Sequence, residues 1–332
     1  MEFLWAFLKS VGLVICVMAG AAYLVLFERK VCSAIQGRHG PNRVKLPILG
    51  DIPLIGPWLT RLGIFHPLAD IPKLMFKEEI IPGHVRSFFF HLAPTLAFIP
   101  AYITMVVVPF AGWNGASVAL VDMDLGAFFI VAVASMGVYG LFLAGYGSNS
   151  KYPYLGSLRA VAQLISYELA MALALLSVGL WAGSFSLSSI VAAQAESAWW
   201  VVLQPLSAFI FLVALFAETN RAPFDMPEAE AELAGGYNVE YGALKFGMFF
   251  VAEYTNMIVG SMVFVTLFLG GWTLPFVTYP EGWVGALLSA LVFVLKVVAM
   301  LFLFVWVRWT LPRFRYDQVM KLGWGTLLPL AI

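Results

Sequence analysis

Seven long apolar runs, residues 10–27, 88–110, 125–146, 160–182, 199–217, 245–270 and 283–307, constrain this chain more than any other feature. A helix needs about 20 mostly apolar residues to cross the hydrocarbon of a bilayer. Within lipid each backbone polar group must be satisfied internally, and uninterrupted runs of this kind do not alternate as barrel strands do. Composition points the same way. Of 332 residues, 61% are hydrophobic and 11% charged, too few charges to cover water-soluble domains. The expected fold is all-α: a polytopic transmembrane helix bundle with seven complete spans, forming a single integral membrane domain over residues 1–332. The 19 basic residues balance 19 acidic ones, which leaves no net basic surface for nucleic acid.

Basic residues alternate between loops. Arg29, Lys30, Arg38, Arg43, Lys45, Arg61, Lys73, Lys77 and Arg86 lie between the first two spans, and the next loop has none. Lys151 and Arg159, then Arg221 and Lys245, then Arg308, Arg313, Arg315 and Lys321 occupy every second connection after that. The excess of Lys and Arg on the cytoplasmic side puts the N-terminus outside and the loops at 28–87, 147–158 and 218–244 inside. No secretory signal is evident, since the first run follows Glu2 rather than a basic stretch. Cys16 and Cys32 form no CxxC, so this chain alone supports no structural zinc site, iron–sulfur cluster or disulfide framework.

The first inner loop contains HPLADIPKLMFKEE (66–79). Leu68, Ile71, Leu74 and Met75 fall on one helical face there, with Lys73, Lys77, Glu78 and Glu79 available for the other, as in a helix lying at a membrane surface. Asp70 is expected to cap it, with Pro72 in its first turn. His39, His66, His84 and His91 lie in or beside this loop without close ligand spacing and read as structural.

Charges within a span cost about 2.5–3.5 kcal/mol each at the helix centre, so the three deep ones are informative. Glu168 falls nine residues beyond Arg159, about 13 Å along a helix; Glu253 follows Lys245 by eight; Lys296 sits halfway along the last span. One reading is a buried ion pair holding helices together. Their distribution over three spans favours a proton path. The connection FAETNRAPFDMPEAEAELAGGYNVEY (216–241) carries Glu218, Asp225, Glu228, Glu230, Glu232 and Glu240 against Arg221. Asp225, Pro227 and Glu228 read as a capped helix start, and Gly235-Gly236 as its stop. The carboxylate spacing matches no calcium loop, and no metal site is expected. Beyond Leu322 the chain reads GWGTLLPLAI, about 15 Å of helix: a partial insertion, or the beginning of a further span.

Several motifs are more specific. ERKVCSAIQGRHGPNRV (28–44) precedes HPLADIPKLMFKEE, and GSNSKYPYLGSLR (147–159) runs into RAVAQLISYELA (159–170). The acidic loop leads to FGMFFVAEYTN (246–256), and LPRFRYDQVMKLGW (311–324) closes the series. In this order they resemble one family of membrane subunits of NADH:quinone oxidoreductase, respiratory complex I, the family whose mitochondrial member is NADH dehydrogenase subunit 1. The resemblance covers the chain from Glu28 to Trp324 and implies a proton-pumping complex in the inner membrane of a prokaryote.

By that resemblance the chain would form the membrane side of the quinone chamber and the start of the proton axis, with no complete active site of its own. NADH, FMN and iron–sulfur clusters would sit on partners: peripheral-arm iron–sulfur and quinone-site subunits, docked on the loops at 28–87 and 218–244. Antiporter-like membrane subunits would flank it in the bilayer. By the same resemblance Arg29, Arg38, Arg43, Asp70, Lys73, Arg221, Phe224 and Asp225 would border the quinone. Glu28, Glu168, Glu218, Glu228, Glu230, Glu232 and Glu253, joined by the deep Lys296, would carry protons. Arg313, Arg315 and Asp317 of LPRFRYDQ would face partner subunits. Three departures stand out: about twenty residues at 45–65 where the family has a short link, with His66 in place of a glutamine; Pro72 within the surface helix; and a short C-terminus where the family normally has an eighth span. The rival readings are the homologous component of a membrane-bound [NiFe] hydrogenase and a stand-alone ion-coupled secondary transporter using Glu168, Glu253 and Lys296.

Overall fold

A computed structural model describes residues 2–45, 55–113, 116–227, 234–275, 277 and 279–332. Among them, six helical stretches are long and apolar enough to cross a membrane. They are α1 (Glu2–Ile35), α4 (Ser87–Ile103, prolonged by a 3-10 turn to Val107), the pair α5 (Gly126–Ala134) and α6 (Met136–Ser148), α7 (Lys151–Ala182), α11 (Ala243–Phe268) and α12 (Trp283–Thr310). The first loop holds α2 (Ile55–Leu62) and α3 (His66–Phe76), and α8 (Leu187–Glu196) follows α7. The expected fifth span is broken: α9 (Trp200–Leu203) stops at Gln204 and α10 (Pro205–Glu218) restarts, with proline in the first turn where no N–H is needed. The chain ends in α13 (Tyr316–Leu322), a π turn (Gly323–Leu327) and α14 (Leu328–Ala331). A single two-stranded hairpin, β1 (Ala111–Trp113) with β2 (Ala116–Val118), is the sheet structure among the described residues.

The basic loops meet at one end of the bundle, as alternation demands. The Arg86 amide donates to the Gly147 carbonyl at 2.8 Å, Lys245 pairs with Glu79 at 2.5 Å, and the Phe314 amide donates to the Pro223 carbonyl at 3.1 Å. At the other end Ser186 and Ser188 donate to Asp122, and Gly112 donates to Ser289 at 3.0 Å. Small residues allow the closest contacts. A Cβ on Gly140 would stand 2.6 Å from the Ala97 amide nitrogen, so α6 lies directly against the backbone of α4. Gly140→Ala is therefore expected to cost about 1–3 kcal/mol by overpacking, read as a lower temperature of inactivation of the purified complex.

The surface helix departs from its expected start. α3 begins at His66 behind Phe65, with Pro67 in the first turn, and Pro72 lies inside the helix. Asp70 is thus no cap. Pro67 is preorganised for a first turn, so the helix nucleates a turn earlier and accepts one missing backbone bond at Pro72. Leu74 lies against Gly247 of α11, while Leu68, Ile71, Met75 and Phe76 are exposed. The helix expected from Pro227, with Glu228, Glu230 and Glu232, falls outside the described residues. Gly235 and Gly236, expected to stop it, both have positive φ, and the turn they make approaches α7 so closely that a Cβ on Gly156 would stand 2.9 Å from the Gly236 Cα. The final residues, 316–331, form helix docked along α7 and α10.

Candidate functional site

At the basic end, three carboxylates interleave with three guanidinium groups. The Arg221 side chain is 3% exposed and Glu253 8%. Arg221 Nη2 lies 3.5 Å from Glu253 Oε2, and its guanidinium sits 4.2 Å above the Tyr254 ring. The Tyr254 hydroxyl donates to Glu28 Oε2 at 2.7 Å, and Arg308 pairs with the other oxygen of Glu28. Arg313 Nη2 donates to Asp225 Oδ2 at 2.7 Å. Burial pushes the Asp225 carboxyl above the usual carboxylate range, and Arg313, with Arg308 and Arg221 behind it, pulls it back down. Buried charges persist only when paired and hydrogen-bonded, so α1, α11, α12 and the loop 219–227 are locked together by this network.

Gln163 on α7 fixes that loop from beneath. Its Nε2 donates to the carbonyls of Ala217 and Phe224, each at 2.8 Å. Phe224 is buried, with its ring 5.4 Å from both Tyr167 and Phe314. The loop is therefore part of the bundle rather than a solvated acidic run.

From the network a cleft with about 590 Å³ of empty volume runs between α4, α6, α7, α10 and α11. Glu168, Glu218 and Glu253 all line it, accompanied by Asn220, Asn256, Thr219 and Tyr237. The Tyr237 hydroxyl donates to Glu253 Oε1 at 2.8 Å. A second, more apolar cleft begins at the same Glu218, Thr219 and Asn256. Three acids far apart in sequence thus share one cavity.

A third cleft, with about 960 Å³ of empty volume, opens on the other side of the network. Its walls are the end of α1 (Glu28, Arg29, Cys32, Ser33), the loop with Arg38 to Pro41, Phe250 and Tyr254 of α11, and Arg308 and Trp309 of α12. Arg43 lines a neighbouring hollow with His39 and His66. Arg29 pairs with Asp70 at 3.5 Å across half-exposed side chains, which ties α3 to α1. Lys73 is exposed on α3. Residues 61–66 brace this wall: Lys30 Nζ donates to the Arg61 carbonyl at 3.0 Å, and His66 Nδ1 lies 3.1 Å from the Gly63 carbonyl.

Lys296 is not brought to these acids. Its ammonium donates to the carbonyls of Leu269, Gly271 and Thr273 at 2.6, 2.9 and 2.6 Å, above the Trp199 ring. Leu269 caps the end of α11, where a helix terminus leaves carbonyls without partners, and Gly271 and Thr273 belong to the chain reversal that follows. Arg315 and Asp317 pair with each other at 3.3 Å on an exposed surface. Sequence reasoning passed over Tyr237, Tyr254, Asn220, Asn256 and Gln163, which carry no signal without the fold, and took Arg308 only as a topology marker. Lys296→Met is expected to leave three carbonyls short of a donor and to lower the amount of assembled complex, read on native gels stained for NADH oxidation.

The chain matches the family model described as NADH dehydrogenase over residues 8–332. It is 45% identical over 323 residues to the H subunit of NADH-quinone oxidoreductase from Rhodospirillum rubrum, covering 97% of this chain and 89% of that relative. It is 46% identical over 340 residues to NADH-quinone oxidoreductase subunit 8 of Rhodothermus marinus, covering 99% and 94%. An H subunit of the same enzyme from Geobacter metallireducens is 46% identical over 321 residues, covering 95% and 90%. These relatives favour the complex I reading over the hydrogenase and transporter readings. The chain belongs to the NADH dehydrogenase family, as a membrane subunit of the NADH-quinone oxidoreductase complex, complex I.

Proposed function

We propose that this chain holds the quinone head group beside the Glu28–Arg308–Tyr254 corner and passes the resulting charge change to the cleft lined by Glu168, Glu218 and Glu253. The observation that carries the reading is that three carboxylates from three helices line one cavity whose inner end meets the buried ion network. Reduction of a quinone to quinol takes two electrons and two protons. The electrons come from partner subunits bearing FMN and iron–sulfur clusters, and this chain supplies the surroundings in which negative charge is first borne and then neutralised.

Each residue has a role in that scheme. Arg29, Arg38 and Arg43 line or flank the wider cleft and would attract a reduced, anionic head group, with Asp70 and Lys73 at its surface-helix side. Arg221, Phe224 and Asp225 form the inner wall. A negative charge arriving near Arg308 and Arg221 weakens their hold on Glu28 and Glu253, so those acids gain protons, and Glu218 and Glu168 exchange them onward. Glu228, Glu230 and Glu232 are assigned to the same path by family resemblance. Antiporter-like subunits would receive the signal. Arg313, Arg315 and Asp317, with the loops at 28–87 and 218–244, would face the peripheral arm. The orientation that fits has the N-terminus outside, in the inner membrane of a prokaryote.

The exposed apolar side chains of α3, among them Leu68, Met75 and Phe76, suit a helix bedded in the lipid interface, beside which an isoprenoid tail could pass. A photoreactive quinone tested on the intact complex is expected to label peptides containing 28–43 and 250–254. Labelling confined to partner subunits, competed by quinone, would overturn the placement of the head group in this cleft.

A further inference from the structure

The last helical stretch reaches from the corner of the proposed chamber to the turn of α7 that carries Glu168. At its beginning it is tied to the loop 219–227: Arg313 bonds Asp225 at 2.7 Å, the Phe314 amide donates to the Pro223 carbonyl at 3.1 Å, and the Phe314 ring lies 5.4 Å from that of Phe224. Further on it is tied to α7. The Tyr167 hydroxyl donates to the Val319 carbonyl at 3.0 Å, and the Trp324 indole N–H donates to Ser166 Oγ at 2.7 Å. Ser166 gives its own proton to the Ala162 carbonyl at 2.6 Å, so its oxygen is turned to accept from Trp324.

The helix is not regular where this happens. Residues Gly323–Leu327 form a π turn, a rare winding that is frequent at functional sites. Gly323 lies against Tyr167 and Ser166, where an added Cβ would stand 3.4 and 3.5 Å from them. Val319 and Leu327 are buried, at 0% and 2% exposure. Glu168 is the next residue of α7 after Ser166 and Tyr167, and it lines the carboxylate cleft. The same stretch of chain therefore grips the Asp225 loop at one end and the two residues that precede Glu168 at the other.

We propose that Trp324 is a positioning residue for Glu168: by fixing Ser166, it keeps the Glu168 turn of α7 in register with the Arg313–Asp225 corner. Residues 316–331 then act as a strut through which a shift of that corner reaches the carboxyl in the cleft. The inference rests on the reading of Glu168 as a proton carrier, and the test separates the two.

Trp324→Phe keeps a ring and removes the N–H; Ser166→Ala removes the acceptor and leaves the indole in place. Oxidation of NADH by an artificial acceptor that bypasses quinone counts the assembled enzyme, and quinone-coupled turnover is followed between about pH 6 and 9. Both variants are expected to lower coupled turnover by about two- to tenfold, the worth of one hydrogen bond. They should also displace its pH profile, at parental activity with the artificial acceptor. The double variant should be no worse than either single one, because both remove the same contact. Parental turnover and pH profile in both single variants would overturn the proposal. Should Trp324→Phe assemble poorly, Ser166→Ala decides by the same two outcomes. Glu168→Gln with undiminished coupled turnover would remove the reading of Glu168 itself. A defective Glu168→Gln beside normal Trp324→Phe and Ser166→Ala would remove only the positioning role.

Discussion

Arg221→Leu is expected to leave little assembled complex in the membrane. Arg221 is 3% exposed and faces Glu253, itself 8% exposed, at 3.5 Å. Without the guanidinium, the Glu253 carboxylate keeps the Tyr237 hydroxyl at 2.8 Å but loses the buried cation beside it. Stranding one member of a buried ion pair costs about 3–5 kcal/mol, a large part of the stability of a typical domain. Adding Glu253→Gln removes the stranded charge and should restore most of the assembled complex, since neutralising both partners is far less costly than removing one. Quinone-coupled turnover should stay low in that double variant, because the inner wall of the chamber and one carboxyl of the cleft are both gone. Native gels stained for NADH oxidation read the first effect, and turnover per assembled complex reads the second. Parental amounts of Arg221→Leu complex would show that the ion pair does not hold these helices.

Some of this arrangement could be read from the chain before the fold was known. Glu168 and Glu253 stood out because a carboxyl in a long apolar run is costly enough to need a reason. The alternation of basic loops gave the order of ends, since the spans must cross in turn. Partnership was another matter. Glu28 and Arg308 are 280 positions apart, and no periodicity says that α1 and α12 are neighbours. Glu168, Glu218 and Glu253 share a cavity only because α7, α10 and α11 pack together, which depends on small residues such as Gly260 of α11 meeting particular neighbours such as Leu215 of α10. Lys296 illustrates the limit. Its depth within the last span was legible, whereas the three carbonyls it satisfies belong to a chain reversal after α11 that only the fold brings beside it. The surface helix was legible in kind and wrong in detail, because two prolines, Pro67 and Pro72, both suit a first turn and the earlier one takes it.

Glu218 stands where the two clefts join, lining both along with Thr219 and Asn256. It closes α10 at the edge of the loop that carries Arg221 and Asp225. Among the described residues no other acid is shared by the two cavities, so in the proposed path Glu218 is the junction between the quinone side and the proton axis. Glu218→Gln keeps the size and polarity of the side chain and removes its ability to give up a proton. The complex should assemble, since among the described residues no buried cation depends on this carboxylate in the way that Arg221 depends on Glu253. Coupled turnover should fall by about a hundredfold or more, in line with the loss of a group that gives and takes protons.

The central claim is that the cleft lined by Glu168, Glu218 and Glu253 carries protons in step with quinone reduction. The most direct test is the number of protons translocated per electron by the Glu218→Gln complex reconstituted in sealed vesicles, measured beside the parent at matched content of assembled enzyme. A ratio well below the parent's, or turnover slowed by about a hundredfold or more, is the predicted result; a parental ratio at parental turnover would contradict it.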